Sequence, residues 1–528
     1  MDMNALKLKI YSSGTTEVVD VDRSLKNARI ESFGTLFPGG VFGTMRVFVA
    51  RNVTRIWNVK ETQRIVVLNG QKVVWEGKIA EIGYAVSDGE QGQMLECVGQ
   101  WGALLGKRYI NKIWADIRLS DAVWPQQPQG DNDNKANVDR MNRISVGPQN
   151  IAWGNGEIVA AFRYTMPTGQ TIKRIKATLK NKESGQDWIT RVRDTIGGLT
   201  LFSETGDGVT TATDHTLVTP RQYVEFQFVS NAAQTPTNAY GRMSAVTVYS
   251  ETGGITPTSV VKNIRATYSE ISSDESKIDT NAFVLEPFFT NGMETAMSVL
   301  QRAASFGDGS YNAWACYFEA SDVAAVPDGK PVLCYKQVPA LTDYDYVVRI
   351  GERNLTGRVD LKRAIVGAVY NWIIVRYRDE LANRDVILTP NDDATLKNQT
   401  SIDKYGQLEL PVDAGTCSAA TAANIGRKML AAKKNAQWRM TGPLQVKGWI
   451  RAKSDAIVPA CQIRAGKRVK IENYLTDLSD VSGAGLTFLI TGTEYRPDTE
   501  VASLTAGVSD NLAVWLAQRA LVNDRKLA

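Results

Sequence analysis

"RIVVLNGQKVVWEGKIAEIGYAV" (residues 64–86) sets the fold class of this 528-residue chain. A β-branched run ends at Asn69-Gly70, and a second run starts at Val73. A two-residue primed turn needs positive φ, which Asn and Gly supply at little cost, so the stretch predicts a tight β-hairpin. "GTMRVFVAR" (43–51) before it alternates with the strand period, and "GQMLECVGQW" (92–101) after it extends the meander. Short strands with Gly-rich turns predict a small β-barrel or sandwich over 1–115.

Working outward, "WPQQPQGDNDNKANVD" (124–139) is polar and carries Pro125 and Pro128, so 116–145 is expected to be a linker or exposed loop. Its Asp131 and Asp133 have a calcium-loop spacing. Lys135 and the missing glycine at the sixth position argue against calcium. Residues 146–255 are β-rich again. "IKRIKATLK" (172–180) sets Ile175, Ala177 and Leu179 on one face, and "QYVEFQFVS" (222–230) does the same with Val224, Phe226 and Phe228. This segment is expected to be an inserted β-sandwich.

Residues 256–350 mix types. A helix is predicted within 290–309, capped by Thr290 or Asn291, stopped at Gly307, with Met293, Met297, Leu300 and Ala304 on one face. Strands at 311–320 and 331–337 follow. Residues 351–528 are expected to form a further, mainly β unit with helices. Its parts are a strand at 368–380, the turn-like "SIDKYG" (401–406), a strand that Pro411 helps to end, a helix near 417–436, a hairpin over 485–508 and a helix at 510–522. The hairpin letters at 75–99 and 490–507 echo one another weakly. The fold class is therefore mainly β with α+β parts, in about three to five domains.

Composition narrows the function. Apolar residues are 43% of the chain and the net charge is +5, a weak basic bias that does not by itself imply nucleic acid. Basic residues crowd 421–470, among them Arg427, Lys428, Lys433, Lys434, Lys467 and Arg468, against Asp455 alone. They read either as a solvated face or as a basic interface for an acidic partner. Five cysteines without a CxxC spacing argue against a disulfide framework or zinc site and fit buried thiols in a reducing place of synthesis. The opening "MDMNALKLKIY" reads as a strand without an apolar leader, and no apolar run has the length of a membrane span.

Catalytic signals are thin. His215 is the one histidine and is expected in an exposed loop. There is no phosphate loop, dinucleotide fingerprint or nucleophile elbow. Asp207 and Asp308 sit beside glycines, where turn chemistry explains them better than a glycosidase pair. No cofactor, metal or catalytic residue is expected. Trp153, Trp188 and Tyr240 lie in or near the sandwich, where aromatics either pack a core or stack on sugar rings.

Four stretches in order carry a resemblance. They are "VVWEGKIAEI" with "MLECVGQWGALL" (73–82, 94–105), "ETAMSVLQRAASFGDGSYNAWACYFEA" (294–320), "VYNWIIVRYRDE" (369–380), and "SIDKYGQLELPV" (401–412) followed by "SAATAANIGRKML" (418–430). The chain resembles the baseplate or tail-tip hub proteins of long-tailed bacteriophages over about 1–120 and 280–528. The resemblance implies a structural, non-enzymatic virion protein made in the host cytoplasm. It implies a homotrimer in which two barrels per subunit build a pseudo-six-fold ring, joining a six-fold tail tube to a three-fold tip and helping attachment and DNA passage. Implied partners are a distal tail or tube ring protein, a tape measure protein, and tail fibre or tip proteins. The single C-terminal helix leaves no room for the lytic domain some hubs carry. The sandwich lies outside the likeness and reads as a carbohydrate-binding module for a host-surface glycan. The alternatives are a carbohydrate- or receptor-binding tail protein and, further off, a cell-wall glycosidase.

Overall fold

The hairpin at 64–87 is present in the computed structural model. The structure describes residues 5–507 apart from 14–15, 23–27, 38–41, 54–55, 88, 101, 103–104, 117–120, 124–136, 140–142, 147–157, 182–187, 195–197, 207–209, 231–240, 286–287, 291, 311, 320–329, 339–342, 364–368, 380–383, 418, 437 and 474–485. The molecule is mainly β and multidomain. Seven strands form the N-terminal meander: β1 (Leu6–Ser13), β2 (Thr16–Asp22), β3 (Ala28–Leu36), β4 (Thr44–Ala50), β5 (Arg64–Asn69), β6 (Lys72–Ser87) and β7 (Glu90–Gly99). Their order in the sheet is β2-β1-β5-β6-β7-β4-β3. Asn69 pairs with Lys72, so the loop is Gly70-Gln71. Only Gly70 has positive φ, at 62°, which is the II′ pattern with glycine first and not the Asn-Gly turn expected.

The sheet does not stop at β3. Residues 33–36 pair antiparallel with Thr487–Arg496, from Phe33 opposite Tyr495 to Leu36 opposite Gly492. That seam strand forms a hairpin with Val501–Gly507 and also pairs with Arg468–Glu472, which runs parallel to Tyr346–Arg349. The two β units expected at the ends of the chain thus share one sheet. One core crosses the join, from Leu6, Val47 and Trp75 to Ile450, Leu489 and Leu504. β3 alternates buried and more exposed side chains, whereas β5 is buried on both faces from Ile65 to Leu68.

Between these ends lie three further cores. In the first, helix Pro257–Thr267 packs with helix Ala296–Ser305 under the hairpin Trp314–Glu319 and Val332–Gln337. The 257–267 helix was not foreseen. It opens on a reciprocal Thr256–Ser259 capping box with Pro257 in its first turn. Thr295 caps the second helix, not Thr290 or Asn291. The Thr290 hydroxyl is instead buried, accepting from Lys112 N and donating to Ile110 O. Leu300 and Ala304 face the core as expected, but Met293 precedes the helix and is 73% exposed. Gly307, at φ 62°, ends the helix.

In the second, strands Trp372–Asp379, Arg384–Leu388 and Glu409–Cys417 carry helix Ala419–Lys433. "SIDKY" is the end of a helix, Gln399–Tyr405, rather than a turn. Asn398 caps it, and Gly406 at φ 77° closes it. Pro411 lies inside the following strand, opposite Ile374. That strand is at the sheet edge, where a residue without an N–H is tolerated. The buried Asn371 side chain ties the region together. Its Nδ2 donates to Ser401 Oγ and Gly406 O, and its Oδ1 accepts from Leu408 N. Ser401 Oγ in turn donates to Lys434 O at the end of the long helix.

The third core is the sandwich, built from a five-stranded and a seven-stranded sheet around Phe162, Ile175, Val224, Phe226 and Val248. Its limits differ from 146–255. Strands at 113–116, 121–123, 137–139 and 143–146 join its sheets, so part of the expected linker belongs to it. The predicted helix at 510–522 and the calcium-like acids lie outside the described residues.

Candidate binding face

The five-stranded sheet of the sandwich turns one face to the core and a polar face outward. In the central strand Tyr223–Ser230, Val224 and Phe226 point inward. Tyr223, Glu225 and Gln227 alternate with them and face out. Cross-strand register puts Arg163 and Arg193 on either side of Glu225, and Arg191 beside Gln227.

Arg163, Glu225, Gln227 and Arg191 form one network, with Arg193 beside it. Arg163 donates to Glu225 Oε1 through Nη2 at 2.6 Å and Nε at 3.2 Å, while its guanidinium lies over the Tyr223 ring. Gln227 Nε2 donates to Glu225 Oε2 at 3.3 Å, and Gln227 Oε1 accepts from Arg191 Nε at 2.8 Å. Arg193 Nε donates to Thr200 Oγ1 at 3.1 Å. Glu225 and Gln227 are fully buried, whereas the three arginines are partly exposed above them. A buried carboxylate without a partner is costly; here Arg163 and Gln227 take up its oxygens. Burial lowers the Arg191 pKa, and the like charge of Arg193 lowers it further. Arg191 and Arg193 have no carboxylate within ion-pair distance among the described residues.

The aromatics singled out from the sequence are placed only in part. Trp153 and Tyr240 lie outside the described residues. Trp188 opens its strand opposite Ser230 and Gly206, at the far end from Arg193. Sequence reasoning missed Arg163, Arg191, Arg193, Glu225 and Gln227. The signal was the polar half of "YVEFQ" and the i, i+2 arginines of "RVR".

The basic stretch does not form one exposed interface. Lys428 and Arg468 are buried. Arg427 donates to Asp393 and Thr395, and exposed Lys467 pairs with Asp345. Lys433 and Lys434 are half-buried at the helix end, where their carbonyls accept from Tyr370 N and Ser401 Oγ. The count of charges misled because a helix and a strand each turn some of them inward. Burial lowers the Lys428 pKa to about 7, and Asp308 opposes that shift. Its Nζ is 5.8 Å from the Phe283 ring centroid and has no hydrogen-bond partner among the described residues.

Asp308 itself organises a turn. It accepts from the backbone of Ser310 and Asn312, from Asn312 Nδ2 and from Trp314 Nε1. Asp207 lies outside the described residues. His215 sits in a strand opposite Ile175, half-buried, and not in a loop. Cys97, Cys316, Cys334 and Cys461 are free and buried. Among the described residues no cluster of His, Cys, Asp and Glu has metal-site geometry, and no helix is long and apolar enough to cross a membrane.

No known family profile matches the chain, and no curated protein sequence matches it. Among solved structures it is similar to a tail protein from Neisseria meningitidis MC58, at 9% identity over 96% of this chain and 98% of that one, with a TM-score of 0.43. It is also similar to the 43 kDa tail protein of prophage MuSo2 from Shewanella oneidensis, at 11% identity over 96% of this chain and 99% of that one, TM-score 0.43. A family 29 carbohydrate-binding module, the K85A mutant of CBM29-2, is similar over 27% of this chain and 93% of its own length, at 12% identity and TM-score 0.17.

Proposed function

We propose that this chain is a non-catalytic structural hub of a bacteriophage tail tip, assembling as a homotrimeric ring between the tail tube and the tip. The observation that carries the reading is the ladder from Phe33–Tyr495 to Leu36–Gly492. It fuses the N-terminal and C-terminal β units into one sheet with one core, and the other domains project from the middle of the chain. Continuous sheet with a close-packed interior deforms little, which suits a conduit wall. Two Asn–Ser–Gly contacts support the reading from another side. The Asn371 strand and the "SIDKYG" segment, separate stretches in the hub resemblance, are hydrogen-bonded to each other. β6 offers a place for a neighbouring subunit. Past Ile79 it outruns β5, and Tyr84 and Val86 are exposed there. Its partners in this reading are the tube ring, tape measure and fibre proteins of the tail.

Native mass measurement with negative-stain class averages tests the assembly. Threefold rings with pseudo-sixfold features are expected, and a stable monomer at micromolar concentration overturns it. A second reading concerns the sandwich, favoured by its outward arginine network: a module that binds a host-surface glycan while the rest of the chain builds the ring.

A further inference from the structure

We infer that the outward face of the five-stranded sheet binds an acidic polysaccharide, with the guanidinium groups of Arg191 and Arg193 holding its carboxylate or sulfate groups. The inference rests on the glycan-binding reading of the sandwich and names the class of glycan.

Hydrogen-bond capacity decides the class. Both Glu225 oxygens are taken, by Arg163 and Gln227, and the Gln227 carbonyl is taken by Arg191. Arg193 gives Nε to Thr200. The terminal nitrogens of Arg191 and Arg193 remain, and they only donate. A sugar hydroxyl can accept from them too, but singly and without charge, whereas a carboxylate or sulfate only accepts and carries the opposite charge. Planar guanidinium groups meet such anions through paired hydrogen bonds.

Placement adds to this. Arg191 and Arg193 are two apart on one strand, so their backbones are separated by roughly 6.5 Å on the same face. A polymer with an acid on successive units can meet both, and each contact raises the effective concentration for the next. Ser203 lies opposite Arg191 in the ladder and Thr200 opposite Arg193. Both are exposed and offer hydroxyls for the uncharged part of a sugar.

The test uses the full-length chain against polygalacturonate, dextran sulfate, uncharged dextran and duplex DNA, by biolayer interferometry at low and high salt. Binding to polygalacturonate or dextran sulfate, weakened by salt, is expected. It should fall at least tenfold in R191Q/R193Q and stay unchanged in R376Q, whose arginine pairs with Asp385 elsewhere. Should the double variant misfold, R193K keeps the charge, loses the fork and is expected to give a smaller loss. Equal binding of dextran overturns the acidic class but leaves the glycan reading standing. Binding of no polysaccharide overturns both. Tightest binding to DNA, or undiminished binding by R191Q/R193Q, overturns the assignment of this face.

Discussion

Thr35 and Thr493, 458 positions apart, bring their hydroxyl oxygens to 2.6 Å at the seam between the two ends of the chain. Thr35 N also donates to Thr493 Oγ1 at 3.2 Å, and Thr35 Oγ1 accepts from Ala465 N at 2.8 Å. Thr35 is buried, so Thr35→Val keeps the shape, strands the Ala465 N–H and removes the hydroxyl contact to Thr493. A loss of about 1–3 kcal/mol is expected, read as a lower urea midpoint. Thr493→Val, which leaves the Ala465 contact intact, should cost less. Equal stability of wild type and T35V would show that the seam does not depend on this contact.

Glycines set how closely the backbones approach at this seam and at the end of β7. A Cβ on Gly34 would lie 2.7 Å from the Thr493 carbonyl oxygen, and one on Gly99 would overlap the Phe42 carbonyl. Backbone cannot yield as a side-chain tip can. Gly99→Ala should destabilise by on the order of 1–3 kcal/mol or more, whereas Gly102→Ala, which meets nothing within 4 Å, should be neutral in the same urea titration.

These contacts mark the limit of local reading. The 64–87 hairpin is legible because alternation and a glycine turn act between neighbours. The pairing of β3 with the seam strand is not, because nothing in "SFGTL" names its partner hundreds of residues on. The helix at 257–267 was hidden by adjacent valines, whose β preference tertiary packing overrides. "SIDKYG" looked like a turn because its side chains are polar and Gly406 closes it. The buried Glu225 and Gln227 were legible as the polar half of an alternating strand. Their burial depends on arginines from two other strands.

Asn371 is where one side chain organises a domain. It makes hydrogen bonds to Ser401, Gly406 and Leu408 from a fully buried position. Asn371→Leu removes all three and leaves a backbone N–H and carbonyl unpaired, so a loss of several kcal/mol is expected. Limited proteolysis should then cut within 398–410 first. Protection equal to wild type would mean the segment is held by other contacts.

The β6 arm predicts how assembly breaks. Val86 is 68% exposed and Tyr84 is 74% exposed. Val86→Asp places a charge where the proposed neighbour would cover apolar surface, without touching any core of the monomer. Native mass measurement should show fewer trimers with an unchanged melting curve of the dissociated chain. Trimers at wild-type abundance would move the subunit contact elsewhere.

Lys428 gives a pH dependence whose sign follows from its surroundings. Its Nζ is buried near the Phe283 ring and beneath Gly307, where an added Cβ would lie 2.6 Å away. Asp308 is the acid that opposes the shift. Burial raises the Asp308 pKa, but hydrogen bonds from Trp314, Asn312 and Ser310 outweigh it and hold it below its usual value, so it stays charged above neutrality. Burial lowers the Lys428 pKa from 10.5 to about 7. Between those values the unfolded chain keeps a proton that the folded chain has shed. Stability therefore rises with pH across that window and is lowest and flat below it. The penalty at low pH is on the order of a few kcal/mol, at about 1.4 kcal/mol per pKa unit. Lys428→Met should raise the melting temperature at pH 6 and flatten its rise toward pH 9.5. Parallel profiles for the two proteins would mean that the ammonium reaches solvent in the folded state.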